Sequence, residues 1–266
     1  MSKVSILMGI YNCNNPKELE DSVKSIINQT FTDWELIICN DGSIDNTLHI
    51  LNQIAKMDNR IRVVSYNKNQ GLAYALNYAY KFAKGEYIAR QDGDDISYPQ
   101  RISKQIEYLD KNNDIDFVGT IADVYDNNGI WGTFSLVENP QIHDFLWNSP
   151  FIHPSILMRR IAFEKAGLYR VSWETRRCED YDLFMAMYSC GSKGANIQEK
   201  LYKYKVENGN KKYRKMRDRL EESVVRMKGF RKMNIGIKGI PYIFKPIIIG
   251  LIPQKIFGKI REKQYS

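Results

Sequence analysis

Four short apolar runs alternate with three helix-period segments across the first hundred residues, and few folds accept that rhythm. Residues 4–10, 34–40, 61–66 and 87–91 are nearly all apolar at their centres, as strands covered on both faces must be. Between them, residues 16–28, 45–56 and 72–83 place apolar side chains three and four apart, with Pro16 and either Ser43 or Asp45 as start signals. The order β-α-β-α-β-α-β predicts an α/β fold with a doubly wound, Rossmann-like, mostly parallel central sheet. Such sheets bind ligands at the carboxyl ends of their strands. Those ends here hold Tyr11 and Asn12, then Asn40, Asp41, Gly42 and Ser43, then Asp92, Gly93 and Asp94.

The last of these ends carries three carboxylates, Asp92, Asp94 and Asp95, directly after a buried strand. Carboxylates crowded in this way repel one another, and a divalent cation between them relieves the repulsion. All-oxygen ligands select Mg2+ or Mn2+, metals that usually carry phosphates. A solvated acidic turn would use the same residue types, so the cluster needs its neighbours to decide its role.

Further along, residues 98–111 form an amphipathic helix pattern, and the strand runs of 116–135 flank a turn at 126–129, as in a hairpin. Residues 143–170 are less regular and include His153, Pro154 and a strand-like 155–158. Residues 181–189 read as a short apolar helix opened by Glu179 and Asp180, and 211–232 as a charged helix. Apolar residues at 43% and charged residues at 26% exclude a disordered or fibrous chain. Cys13, Cys39, Cys178 and Cys190 have no C-x-x-C spacing and read as reduced packing residues.

The segments VSILMGIYN, DWELIICNDGSIDNT, NQGLAYALNYAYKFAKGEYIARQDGDD and CEDYDLF occur in an order that resembles family 2 glycosyltransferases, and the resemblance covers roughly residues 1 to 205. Those are inverting enzymes of GT-A fold, and the nearest resemblance is to bacterial enzymes that build capsule, exopolysaccharide or O-antigen units. The resemblance implies a catalytic domain at 1–208, its first part (1–97) binding a nucleotide sugar and its second (98–208) facing the acceptor, followed by a basic helical extension at 209–266. It implies a hexosyltransferase using a nucleotide diphosphate sugar, with UDP expected because the Asp41 carboxylate can accept from the N3 hydrogen of uracil. By the same resemblance Ile10, Tyr11, Asp41, Asn69, Arg90, Asp92, Gly93 and Asp94 bind the donor. Asp94 and Asp92 hold Mn2+ or Mg2+, while Asp95 is expected to cap the following helix. Asp180 is the implied base, though spacing alone leaves Glu179 and Asp182 open. His153, Trp173, Arg176 and Glu179 are candidates for the acceptor side. Two departures stand out. Asn40 replaces the commoner first acid of Asp-Asp-Gly-Ser, and Tyr204-Lys205-Val206-Glu207 stands where many relatives carry a His after Tyr-Arg, leaving Glu207 as a possible metal ligand.

Charge is unevenly placed. Residues 1–199 carry a net of −6, whereas 200–266 hold 19 Lys/Arg against five Asp/Glu, a net of +14. The start of the chain shows no signal peptide pattern, and the apolar stretch 235–257 is interrupted by Lys238, Lys245, Lys255 and three prolines, too broken to span a bilayer. We therefore expect a cytoplasmic protein, peripheral at the inner face of the cell membrane, whose residues 209–266 meet an anionic surface while a saccharide or lipid-linked saccharide acts as acceptor. Two other readings are transfer directly to a polyprenyl phosphate, for which spanning helices are expected, and a non-catalytic nucleic-acid binder using the basic tail. The aliphatic residues among the lysines favour lipid over nucleic acid.

Overall fold

Because most of the early strands are buried on both faces, the sheet needs helices on either side, and the connections between the strands supply them. In the computed structural model, which describes residues 2–207 and 214–251, β1 (Val4–Ile10), β2 (Trp34–Asp41), β3 (Ile61–Tyr66) and β4 (Tyr87–Arg90) pair in parallel in the order β3-β2-β1-β4. Helices α1 (Pro16–Ile27), α2 (Thr47–Ile54) and α3 (Leu72–Tyr80) make the crossovers. Two apolar clusters sandwich the sheet, one around Leu7, Ile37 and Ile88, the other around Ile6, Ile38 and Ala89, so alternate residues of one strand serve opposite faces.

Beyond the acidic loop come β5 (Ile96–Ser97), α4 (Arg101–Lys111), the hairpin β6 (Phe117–Asp126) and β7 (Gly129–Phe134), β8 (Leu157–Arg159), α5 (Arg160–Lys165), α6 (Glu179–Ser189) and β9 (Gly194–Lys205). The sheet continues from β4 through β8, β6 and β9 to β5, with antiparallel pairings except for β6 with β9. The result is a mixed, mostly parallel doubly wound sheet in its first half and an antiparallel extension in its second. Strand β9 has no counterpart among the strands read from the sequence, because its middle, Gln198 to Lys200, is polar and exposed.

Several boundaries move for identifiable reasons. Strand β4 stops at Arg90 because buried Gln91 turns its amide inward, donating to Asp95 O (2.9 Å) and Ser22 Oγ (3.0 Å) and accepting from Ser97 Oγ (2.7 Å). Helix α4 starts at Arg101, not at residue 98: Pro99 disfavours the α conformation at Tyr98, whose amide instead bonds Leu201 O at 3.0 Å. Asp95 therefore precedes a strand and caps no helix; its Oδ1 accepts from the Lys205 amide at 2.7 Å and so pins the end of β9.

The C-terminal extension continues the same core. Helix α7 (Met216–Lys232) buries Val225 and Phe230 in the cluster that holds Phe184 and Met187 of α6, and α8 (Ile240–Leu251) packs along α7. The charged helix expected at 211–232 is thus present from Met216; its residues 211–213, and residues 252–266 of the expected membrane segment, lie outside the described residues. Among the described residues no helix is long and apolar enough to cross a membrane.

Candidate active site

The ends of β1 and β2 are tied together before any ligand arrives. Ser43 Oγ accepts from the Asn12 amide (3.0 Å), and Asn12 Oδ1 accepts from the Ile44 amide (3.2 Å). Gly42 has φ +61° and lies against the loop after β3, where a Cβ would fall 2.4 Å from Lys68 C and 2.5 Å from Asn69 N; only glycine fits. Asn40 is buried and uses both ends of its amide, donating to Ser65 Oγ at 2.9 Å and accepting from the Ser43 amide at 3.3 Å.

Asp41 does something the sequence does not foretell. Its Oδ1 accepts from Tyr66 Oη (2.6 Å) and the Gln70 amide (2.8 Å), and its Oδ2 accepts from Asn69 Nδ2 (2.8 Å) and the Gly71 amide (2.9 Å). Two acceptor positions on each oxygen are thereby filled, and the residue is 3% exposed. In this arrangement Asp41 has no free lone pair for uracil; it shapes the 69–71 loop at the pocket wall. Asn69 is exposed yet spends its amide on Asp41. Tyr11, 47% exposed at the tip of β1, is the accessible aromatic here.

The acidic loop lies beside this wall. Gly93 packs so closely on Ile10 that a Cβ would come 2.5 Å from Ile10 Cδ1, which fixes Ile10 as the apolar floor under the loop. Arg90 is fully buried, holds Asp92 Oδ1 at 2.5 Å and donates to Gln91 O, so it organises the loop from below and does not reach the surface. Asp94 is exposed at the mouth of the cleft, where desolvation by the surrounding protein and then the charge of Asp92 push its carboxyl upward. Lys205 faces this loop while pairing with Glu18, and Glu207 is exposed, its Oε1 3.7 Å from Lys205 Nζ.

Across the cleft, the first turn of α6 carries Glu179, Asp180 and Asp182. Asp182 is committed: Arg170 Nη2 reaches its Oδ1 at 2.6 Å and Arg170 Nε its Oδ2 at 3.0 Å. Among the described residues the other two form no such ion pair. Burial, followed by the neighbouring Asp180, raises the Glu179 carboxyl, which also feels Arg90 and Asp92 of the donor loop. Burial likewise raises Asp180, which faces Arg214 and Glu222 of the extension. Among the described residues Glu179 Oε2 is buried without a hydrogen-bond partner, the kind of vacancy a substrate hydroxyl fills.

His153 does not line the acceptor side. It is 8% exposed, hydrogen-bonded through Nε2 to Tyr169 Oη at 2.6 Å and set edge-on to Phe184, and burial plus Arg90 hold its pKa well below the usual histidine range. Trp173 and Arg176 are exposed on the turn before α6. That turn is fastened by residues the sequence did not single out: buried Glu174 accepts from Arg170 (2.6 Å), Ser172 and Lys228 (2.5 Å), and Arg214 donates to Arg177 O at 3.2 Å while pairing with Glu222 at 2.8 Å. Arg170 and Ser172 are near neighbours of Glu174 in the chain, whereas Lys228 and Arg214 reach the turn from the C-terminal extension and carry no local signal.

Among the described residues no three His, Cys, Asp or Glu side chains converge into a closed metal cage. The residues nonetheless suit a divalent cation shared with a ligand. Asp92 and Asp94 offer oxygen ligands, with burial and then the charge of Asp92 raising Asp94, and Mg2+ characteristically takes one or two carboxylates and completes its shell with phosphate and water.

The model of the family described as Glycosyl transferase family 2 matches residues 5–167, well over half of the chain. The chain belongs to glycosyl transferase family 2. It is therefore a transferase, and several relatives extend the match over its whole length. EpsE of Bacillus subtilis (strain 168), named as a glycosyltransferase, is 36% identical over 263 residues, 98% of this chain and 94% of EpsE. The Escherichia coli UDP-Glc:alpha-D-GlcNAc-diphosphoundecaprenol beta-1,3-glucosyltransferase WfaP is 31% identical over 95% of each chain. The Erwinia amylovora amylovoran biosynthesis glycosyltransferase AmsE is 28% identical over 97% of this chain and 98% of its own. In fold, the family 2 chain superposes on S. aureus TarS 1-349 in complex with UDP-GlcNAc with TM-score 0.70 at 18% identity, covering 91% of this chain and 73% of TarS 1-349. It also matches the Pyrobaculum calidifontis mannosyltransferase PcManGT in complex with GDP-Man and Mn2+ at TM-score 0.64 and 18% identity, over 94% and 68% of the two chains. The GT-A expectation for the fold holds.

Proposed function

We propose that this transferase moves a hexose from a UDP-sugar to a lipid-linked saccharide in the synthesis of a bacterial surface polysaccharide, inverting the anomeric centre in one displacement. The observation that carries this reading is electrostatic. Arg90 holds Asp92 of the donor loop at 2.5 Å, and the Glu179 carboxyl, whose Oε2 is buried without a hydrogen-bond partner among the described residues, feels both Arg90 and Asp92, which supports phosphate-side and hydroxyl-side chemistry in one site. WfaP supports the choice of donor and acceptor through its named substrates, TarS and PcManGT through their bound nucleotide sugars.

In this reading Tyr11 and the loop held by Asp41 receive the nucleoside, and Asp94 with Asp92 would hold Mn2+ or Mg2+ against the diphosphate. The cation would supply Lewis-acid stabilisation of the departing nucleoside diphosphate, worth several kcal/mol. Asp180 takes the proton of the acceptor hydroxyl as its oxygen bonds to the anomeric carbon and the bond to the diphosphate breaks. Glu179 orients that hydroxyl from the donor side, and Trp173 and Arg176 receive the rest of the acceptor. Asp182 and His153 are left to structural duty.

UDP release from a panel of UDP-sugars, with Mn2+ and with EDTA, tests the proposal. Metal-dependent turnover of one donor, lost in Asp180→Asn and Asp94→Ala, is the expected result. Absence of UDP binding by calorimetry for the wild type would remove the reading.

A further inference from the structure

Helix α8 carries a single charged residue, Lys245, and turns it inward: Nζ sits 3.8 Å from the centre of the Trp147 ring and donates to Asn148 Oδ1 at 3.0 Å. The core-facing side of the helix is fully used. Pro246 is buried, Tyr242 and Ile243 pack on the main core, and at Gly250 a Cβ would fall 2.6 Å from Arg219 Cδ. The opposite side is apolar and uncovered. Ile240, Phe244, Ile248 and Leu251, spaced four, four and three apart, form one stripe with Ile237 of the preceding turn, and these five side chains are 47%, 53%, 57%, 74% and 80% exposed. Continuous exposed apolar stripes of this kind mark interaction surfaces.

Charge selects the occupant. Residues 223–261 contain nine Lys/Arg and no Asp or Glu, and Arg231, Lys232 and Lys238 are exposed at the entry to the stripe. A second copy docking through the same face would bring two such cationic segments together. Nucleic acid would satisfy the cations and leave the aliphatic stripe in water. An anionic lipid surface satisfies both, at about 1 kcal/mol for each basic residue near the headgroups. With 12 residues α8 is about 18 Å long, too short to span and suited to lying in the interface plane.

We propose that α8 docks in the headgroup region of an anionic lipid surface, with Ile240, Phe244, Ile248 and Leu251 toward the acyl chains and Arg231, Lys232 and Lys238 on the lipid phosphates. Only the C-terminal end of α7, at Arg231 and Lys232, reaches the lipid; the rest of the helix is the strut behind α8. Arg226 donates to Leu146 O (2.9 Å) and Trp147 O (3.0 Å), and Lys228 holds Glu174, so the docked helix is fastened to the loops before α6. The surface deepens the lipid-linked acceptor reading, since it brings the acceptor side of the cleft to a membrane-held substrate.

The test is co-sedimentation of the full chain with phosphatidylcholine vesicles and with vesicles containing roughly 30 mol% phosphatidylglycerol. The wild type should bind the anionic vesicles and leave the neutral ones. The double variant Phe244→Glu/Ile248→Glu should bind at least tenfold more weakly with an unchanged thermal melt, and Lys238→Glu a few-fold more weakly, the latter difference vanishing in high salt. Should the double variant itself melt early, Ile237→Glu, on a more exposed side chain, carries the test. Equal binding by wild type and variants, no preference for anionic lipid, or a dimer in ultracentrifugation broken by the double variant would overturn the proposal. The vesicle assay contains no donor or acceptor and so tests this proposal alone; vesicle binding with no UDP release in the donor panel would strike only the enzymatic reading, and UDP release without vesicle binding only this one.

Discussion

The donor half and the acceptor half satisfy their carboxylates by different means. In the donor half Asp41 is held by donors from the next β-α unit, two of them backbone amides, and Asp92 by Arg90 two residues away, while Asp95 reaches the Lys205 amide. In the acceptor half the partners are side-chain cations, Arg170 from the turn just before α6 and others from the C-terminal extension. Asp182 and Glu174 share Arg170, Glu174 also takes Lys228 of α7, and Asp180 faces Arg214 of the extension. A nucleotide pocket can therefore be completed within one supersecondary unit, whereas the acceptor wall depends on a helix that follows the catalytic motifs in the chain.

The largest test of this contrast is at α6. Asp180→Asn should lower kcat by about 100- to 10,000-fold with donor affinity intact, as expected for loss of a general base. Glu179→Gln should cost less, and a larger loss from Glu179→Gln would transfer the base role to it. The sign of the pH effect follows from the raised carboxyls: the base works only when ionised, so activity falls as pH drops through a pKa above the ordinary aspartate range. Because Asp180 raises Glu179 and Glu179 is the higher-titrating of the two, Glu179→Gln should leave that acid limb in place.

Next in size is Asp41→Asn, which puts an amide N–H2 among four donors. Loss of the buried, charge-assisted bonds should cost about 3 kcal/mol in urea unfolding and weaken UDP binding, because the 69–71 loop loses its anchor. If UDP binding alone were lost and stability kept, Asp41 would be a base contact after all.

Lys228→Met probes the remote half. Its ammonium is about half exposed, so we expect only about 1 kcal/mol of stability, together with a raised KM for acceptor and an unchanged KM for donor. Burial alone would raise Glu174, but Lys228, Ser172 and Arg170 outweigh it and hold the carboxyl below its usual range. That contribution is present above the unfolded pKa near 4.3 and is lost as pH falls below it, so acid unfolding should be less pH-dependent in Lys228→Met than in the wild type. Smallest of all, Trp173→Ala on the exposed turn should leave the melting temperature within the range of ordinary surface changes and raise acceptor KM a few-fold, read by steady-state kinetics.

The sequence by itself determined the alternation of β1 to β4 with α1 to α3, the hairpin of β6 and β7, and the loops that bear Asp92, Asp94, Glu179 and Asp180. Local periodicity suffices for these, since strands buried on both faces and amphipathic helices write their burial directly into residue order. Strand β9 escaped because its exposed polar middle breaks that pattern, β4 shifted because Gln91 bonds across the fold, and α4 because Pro99 disfavours the α conformation at Tyr98. Which carboxylates are available for chemistry was decided only by the tertiary structure. Asp41, Asp182 and Glu174 are spent on through-space donors, Asp94 is exposed, and among the described residues Asp95 and Glu179 each keep one buried, unpartnered oxygen. An Asp or Glu looks the same in the sequence in either condition, because its availability depends on donors that folding brings from elsewhere in the chain.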